Sequence, residues 1–311
     1  ISASEAAAMS GELNLVGQGI TGTLNGLEYF IGLEAILLHE NQFEGSIPKE
    51  LGNLVNLSRL YLRDNQLSGE IPKELGNMQS LTQLQLGRNK LTGSIPKELA
   101  NLNNLAYLYL FDNQLSGEIP KELGQLNPTK IRAIIICNNN LSGSIPEELG
   151  NLASLAHLDV SGNNLSESIP QSIYSLGQLV EARFNGNTEL TGNPYTGFAS
   201  HTKLAILDVS GTKLIQVRPE ISTLLESNGG LFIYDNLAEN LLTLDKTGII
   251  DGLTQDDIDR AQESANYITD TSQKQQWEEN IALAQKLFDA KEEVDELFSD
   301  TIHTNVIAGL V

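Results

Sequence analysis

Cysteine, tryptophan and methionine are almost missing from these 311 residues, which hold one Cys, one Trp and two Met. The lone thiol, Cys137, excludes a disulfide framework within the chain, and no CxxC or His/Cys cluster offers zinc ligands. No apolar run approaches the roughly 20 residues a membrane helix needs, so no span is expected within this sequence. Basic side chains are scarce too: 19 Lys and Arg stand against 40 Asp and Glu, a formal net charge of −21. That balance disfavours a phosphate-backbone partner, so nucleic acid is not expected. His39, His157, His201 and His303 are scattered, and none lies in HExxH or beside a GxSxG elbow. With no convergent catalytic set, no metal site and no cofactor motif, the expectation is a protein that is not an enzyme. The sequence runs from Ile1 to Val311, which reads as a piece excised from a longer chain, with any signal peptide or anchor outside it.

The acid excess is unevenly spread. Residues 237–311 hold 16 acidic and 5 basic side chains, a net −11, whereas residues 1–236 hold 24 and 14, a net −10. Charge per residue is therefore about three times higher in the last quarter, and the shift predicts a boundary near Asn236.

Repetition explains most of residues 1–236. Ile-Pro recurs at Ile47, Ile71, Ile95, Ile119, Ile145 and Ile169, at steps of 24, 24, 24, 26 and 24. An asparagine precedes each pair in constant register: Asn41, Asn65, Asn89, Asn113, Asn139 and Asn163. Leu60-Tyr61-Leu62 alternates as a short strand, leucines inward and tyrosine outward. One strand per repeat, stacked side by side, builds a parallel sheet in which each unit buries its apolar face only against its neighbours. An inward asparagine is costly unless bonded, so this column is expected to hold turn backbone groups. Gly45, Gly69, Gly93, Gly117 and Gly143 suit unusual backbone angles, and the prolines that follow fix an extended segment.

The frame resembles the leucine-rich repeat, and the LxGxIPxxLGNL continuation its plant-type subclass. The resemblance implies an α/β solenoid with a concave parallel sheet. Weaker copies extend it: Leu13-Asn14-Leu15 with Gln18 before, and Ala182-Arg183-Phe184, Leu207-Asp208-Val209 and Leu231-Phe232-Ile233 after, as expected of capping repeats. About ten coils of ~24 residues would give a sheet on the order of 45 Å long. Plant receptor-type caps usually carry cysteine pairs, which this chain lacks, and Gly17-Gln18-Gly19-Ile20-Thr21 through Tyr29-Phe30 instead resembles the opening repeats of bacterial surface proteins. A bacterial source is therefore expected.

After Asn236 the period stops. Thr254-Gln255-Asp256-Asp257 reads as a capped helix start, with Ile258, Ala261, Ala265 and Ile268 on one face. A second helix is expected near Ser272, with Trp277, Ile281, Ala284, Leu287 and Phe288 as its apolar stripe. Leu237–Leu253 and Val294–Leu310 align at an offset of 57 residues, as if a second helical unit were beginning. The segment resembles short acidic helical modules, with a TQxDIDxA start, found in tandem in bacterial secreted and wall-associated proteins. The domains are accordingly 1–236, a leucine-rich repeat solenoid, and 237–311, an acidic all-α helical module. Asp256, Asp257 and Asp259 lack the glycine and distal glutamate of a calcium loop and read as helix-start acids. Sequons at Asn56, Asn140 and Asn164 carry little weight, the latter two being by-products of the Asn-x-Leu-Ser phrase.

Function is sought at the outward strand positions, which the frame leaves free. The central outward column reads Leu37, Tyr61, Gln85, Tyr109, Ile135, Asp159, Arg183, Asp208 and Phe232, and flanking columns add His39, Arg59, Arg63, Arg88, Tyr107, Phe111, Arg132 and His157. Aromatic and arginine residues gather between Tyr61 and Arg132, a composition enriched at recognition hot spots. The candidate ligand-binding set is Tyr61, Arg63, Gln85, Arg88, Tyr107, Tyr109, Phe111, Arg132 and Ile135. Tyr107, Tyr109, Phe111 and Ile135 together form an apolar display on adjacent coils, and the two extra residues around Asn127-Pro128-Thr129 fall beside it.

The expected function is a monomeric recognition or adhesion module, secreted or displayed on a bacterial cell surface, binding a protein or glycan on the concave face. A structural spacer or adhesin stalk without a discrete ligand is the alternative reading, and an ice-binding solenoid a minor one.

Overall fold

A computed structural model describes residues 2–198, 201–214, 231–233, 258–259, 261–262, 265, 274–275 and 277–286. The chain divides into two compact units, Ile1–Leu214 with Ile221–Ile233, and Ile215–Glu220 with Tyr234–Val311.

The first unit is a leucine-rich repeat solenoid. Ten parallel strands, one per coil, form a single sheet in sequence order: Gly11–Asn14, Leu33–Leu37, Arg59–Tyr61, Gln83–Gln85, Tyr107–Tyr109, Ala133–Ile135, His157–Asp159, Glu181–Arg183, Ile206–Asp208 and Leu231–Ile233. They are called coils 1 to 10. Strand partners across the sheet align Ile36, Leu60, Leu84, Leu108, Ile134 and Leu158 in one column, every member of it fully buried. Leu62, Leu86, Leu110, Ile136 and Val160, two residues on, are buried as completely. The alternation of the sequence is thus the in-and-out alternation of a strand over a continuous apolar core.

Each asparagine fastens one coil to the one before it. Asn113 donates from Nδ2 to the carbonyls of Leu110 (3.0 Å), Phe111 (3.2 Å) and Leu86 of the preceding coil (3.1 Å). Its Oδ1 accepts the Leu91 N–H at 3.0 Å. Asn41, Asn65, Asn89, Asn139 and Asn163 repeat the arrangement, and Asn187 extends it. Gln18 keeps only part of it, donating to the Val16 carbonyl at 3.0 Å.

Three features lie beyond the sequence reading. A second layer of short parallel strands, including Gln66–Glu70, Lys90–Thr92 and Asn140–Gly143, follows each asparagine and pairs along the solenoid. Behind it each Ile-Pro enters a 3₁₀ turn, such as Lys73–Asn77 or Lys97–Asn101, whose N-terminal flank is the proline (Pro72 φ −64°, ψ 128°). Last, the residue just before each asparagine is left-handed: Glu40, Asp64, Arg88, Asp112 and Asn138 have φ between 52° and 60°, and Gly162 and Gly186 occupy the same place.

Two expectations need correction. Leu207 pairs with Phe232 and Asp208 with Ile233, so Phe232 stands in backbone register with Leu207 and not, as expected, with Asp208. The last step is one residue longer than the 24-residue repeat, which shifts the pairing by one residue. Leu37, placed among outward positions, is only 7% exposed.

In the second unit, residues 258–259, 261–262, 265, 274–275 and 277–286 are helical where described. Ile258, Ala261, Ala265, Trp277, Ile281 and Ala284 are buried. Ile268, Leu287, Phe288 and the 57-residue internal repeat lie outside the described residues. Among the described residues no helix is long and apolar enough to cross a membrane.

Candidate ligand-binding face

The concave sheet brings most of the predicted site residues together on coils 3 to 6. On coil 5, Tyr107, Tyr109 and Phe111 stand in a row across the strand, ring centroids 6.1 and 6.5 Å apart and edge to face, the arrangement that ring quadrupoles favour. Gly87 positions Phe111: a Cβ there would lie 2.6 Å from Phe111 Cε1, so the ring rests on the bare backbone of coil 4. The Arg88 guanidinium sits 5.6 Å from the centroid of the same ring, within cation–π range. Tyr107 and Tyr109 pair in register with Ala133 and Ile135, and these with His157 and Asp159. A coil of small or aliphatic outward side chains therefore separates the aromatic row from a polar one. The resulting hollow spans two coil steps, about 9.6 Å.

The aromatic set is half-buried rather than fully displayed, whereas among the described residues the large apolar side chains with the greatest exposure are Met9, Leu15, Tyr29, Ile31 and Val55. Burial raises the phenol pKa of both Tyr61 and Tyr109, keeping their hydroxyls protonated as donors. Tyr61 donates to Gln83 Oε1 and packs edge to face on His39 at 5.7 Å.

Arg59, Arg63 and Arg88 are neutralised within the face. Arg63 bridges Glu40 (2.9 Å) and Asp64, and Arg88 bridges Asp64 (3.4 Å) and Asp112 (3.2 Å). Asn138 continues the ladder by donating to Asp112 at 2.7 Å. Arg59 pairs with Glu12 at 2.8 Å. The left-handed column supplies Glu40, Asp64, Arg88, Asp112 and Asn138, and with Arg63 between Glu40 and Asp64 the ion pairs run along one rim of the face. Glu12, Glu40, Asp64 and Asp112 were not singled out from the sequence; the signal available was their fixed position one before the asparagine, or, for Glu12, one before the strand's central apolar residue. Arg132 stands apart from the hollow, exposed, and donates to the Ser154 carbonyl at 3.2 Å. The Asn127-Pro128-Thr129 insertion closes on itself, Asn127 Oδ1 accepting from Thr129 N–H and hydroxyl, while Pro128 accepts from Ser154 N–H at 2.9 Å. It is absorbed in the turn leading to the strand.

Toward coil 9 the face turns acidic and self-bonded. His157 Nδ1 contacts Glu181 at 3.1 Å, Glu181 accepts from Arg183, and Arg183 reaches Asp208 at 3.7 Å. Burial alone would raise the Glu181 pKa, but hydrogen bonds from Arg183 and His157 outweigh it and hold the carboxylate low. Cys137 is buried, and burial together with Asp159 pushes its pKa up to about 12, so it remains a thiol. Among the described residues no group of three His, Cys, Asp or Glu is arranged to hold a metal. Two grooves lie on the solenoid flank, lined by the Ile-Pro segments and the 3₁₀ turns, and none of their lining residues belongs to the concave set.

The comparisons agree with this architecture. Family profiles described as "Leucine rich repeat" match residues 71–115, and residues 56–78, 130–152 and 154–176. The chain therefore carries leucine-rich repeats on a leucine-rich repeat solenoid. Among solved structures it is similar to a TDR receptor at 31% identity, covering 69% of this chain and 41% of that one, with TM-score 0.57. It is similar to a plant ice-binding protein at 26% identity, covering 67% and 70%, with TM-score 0.57. A third is the Arabidopsis receptor kinase HAESA in complex with the peptide hormone IDA and the co-receptor SERK1, at 28% identity, 65% and 38% coverage, and TM-score 0.52. This chain spans about two fifths of the length of the TDR receptor and HAESA structures. No curated protein matches.

Proposed function

We propose that this chain is a non-enzymatic recognition module that binds an extended peptide or protein segment on its concave face, at the hollow between the Tyr107-Tyr109-Phe111 row and the His157-Asp159 row. The observation that carries the reading is the aromatic row set beside a coil of small side chains, Ala133, Ile135 and Cys137, with the neighbouring charges already paired. Such a surface rewards apolar and ring contacts over ion pairing. The similarity to HAESA, recorded with a bound peptide hormone, supports a peptide ligand. Ring faces of this kind also accept sugars, so a glycan is the competing ligand class.

Display outside the cell accompanies this reading, supported by the receptor ectodomains among the similar structures. The bacterial source rests on residues 17–30 and on the acidic helices. We also propose the division into solenoid 1–236 and acidic helical module 237–311, the latter acting as a spacer, and a monomeric state.

The test is selection from a displayed random-peptide library followed by affinity measurement on the triple variant Tyr107→Ala/Tyr109→Ala/Phe111→Ala. Selected peptides are expected to lose at least about tenfold in affinity, since each hot-spot truncation costs roughly 1–2 kcal/mol or more. Unchanged affinity would refute the site. A spacer without a ligand predicts no saturable peptide at all. The match to a plant ice-binding protein favours a second reading, ice binding, which a thermal-hysteresis measurement decides.

A further inference from the structure

A groove runs along the flank of the solenoid, where each Ser/Glu-Ile-Pro segment leaves the second strand layer and enters its 3₁₀ turn. Two stretches of about 730 and 610 Å³ share Glu118, Pro120 and Glu122 and so form one continuous channel. Its floor is the column of half-buried prolines, Pro72, Pro96, Pro120 and Pro146. Proline has no N–H, so this floor cannot donate to a strand laid against it.

The upper wall alternates. Glu70, Ser94, Glu118 and Ser144 follow one another on successive coils, which puts a carboxylate on every second coil from coil 3 to coil 5. Both glutamates lie across the glycine of the next coil: a Cβ at Gly93 would fall 2.8 Å from Glu70 Cγ, and one at Gly143 3.0 Å from Glu118 Cγ. Neither carboxylate is ion-paired among the described residues. The opposite wall, formed by the 3₁₀ turns, is mixed: Lys49, Lys73, Lys97 and Lys121 alternate with Glu74, Glu98, Glu122, Glu147 and Glu148, which leaves the groove as a whole with an acidic excess.

A ligand lying along the axis must therefore present cations at a two-coil spacing, about 9.6 Å. A polyproline II helix completes a turn in three residues of 3.1 Å, about 9.3 Å, with no backbone donors that need a ladder. A β-strand repeats each face at about 6.6 Å and an α-helix turns every 5.4 Å or so, and both fall out of step. We propose that the flank groove docks a polyproline II segment with a basic residue at every third position, its cations on Glu70 and Glu118 and its rings on the proline floor.

The probe is a fluorescent (Lys-Pro-Pro)5 peptide titrated with the full chain by anisotropy. Saturable binding is expected, weakened about tenfold or more in Glu70→Gln/Glu118→Gln, since both carboxylates that would meet the cations lose their charge. A (Lys-Gly-Ser)5 peptide of equal charge and spacing should bind about tenfold more weakly, because it must be ordered on binding. The concave triple alanine variant should bind (Lys-Pro-Pro)5 as the parent does. Absence of saturation, equal binding of the Gly-Ser peptide, an unaffected glutamine variant, or loss in the concave variant would each overturn the proposal. Circular dichroism of the glutamine variant, whose exchanges are at exposed positions, distinguishes lost contacts from lost fold.

Discussion

Asn113 illustrates how much one side chain holds. Its amide satisfies three carbonyls and one N–H of two coils, so alanine there would strand several buried backbone groups. At about 1–3 kcal/mol for each unsatisfied group, Asn113→Ala is expected to destabilise the solenoid by about 3 kcal/mol or more, read as a lower urea midpoint. Gly87→Ala should act differently. It leaves the core alone but pushes Phe111 off coil 4, so stability changes by less than about 1 kcal/mol while peptide affinity falls; equal affinity would mean that the ring is not a contact. Acid sensitivity also sits at this scale. Burial and Arg63 hold the His39 pKa below its ordinary value, so the unfolded chain takes up that proton first and stability falls as pH drops below about 6.5. Glu181 is held low by Arg183 and His157 despite its burial; its stabilisation is present above the unfolded value and is lost as pH falls below about 4.5. Melting temperatures should thus decline in two stages on acidification, and His39→Gln should remove the first.

At the scale of the element, each coil is a strand, an asparagine turn, a second short strand and a 3₁₀ turn, and its core leucines touch only adjacent coils. Leu108→Ala, at a position with no solvent exposure, should cost about 2–5 kcal/mol and loosen coils 4 to 6 before the rest, visible as local amide exchange. Much of this element was legible. The Leu-x-Leu alternation, the asparagine column and the glycine before five of the six Ser/Glu-Ile-Pro segments are periodic, and periodicity transmits burial directly. What escaped were features that the repeat does not spell out in residue type. Glu40, Asp64, Arg88 and Asp112 adopt the left-handed turn that Gly162 and Gly186 mark openly, and nothing in a glutamate or arginine announces φ near 55°. The 3₁₀ turns, such as Lys73–Asn77 and Lys97–Asn101, are five residues long and leave too few periods to detect in sequence. Phe232 was placed one position out of register because a single added residue shifts the strand pairing.

At the scale of the whole molecule, the charge of −21 does not describe the recognition face. Arg59, Arg63 and Arg88 pair with Glu12, Glu40, Asp64 and Asp112, so the arginines beside the aromatic row are locally neutralised, while Arg132 stays exposed and donates to the Ser154 carbonyl. Peptide binding on the concave face should accordingly vary by no more than about threefold between low and moderate salt, whereas binding in the flank groove, with its unpaired glutamates, should weaken steeply. The concave hollow itself was only partly legible: the aromatic residues were visible in the outward column, but their seat on Gly87 and the pairing of the charges required the fold. Oxidative footprinting of a library-selected peptide complex tests the central claim most directly. The account predicts that Tyr107, Tyr109 and Phe111 become protected while the exposed Tyr29 on the opening coils reacts as before. Protection of Tyr29 with Tyr107, Tyr109 and Phe111 unchanged would contradict it.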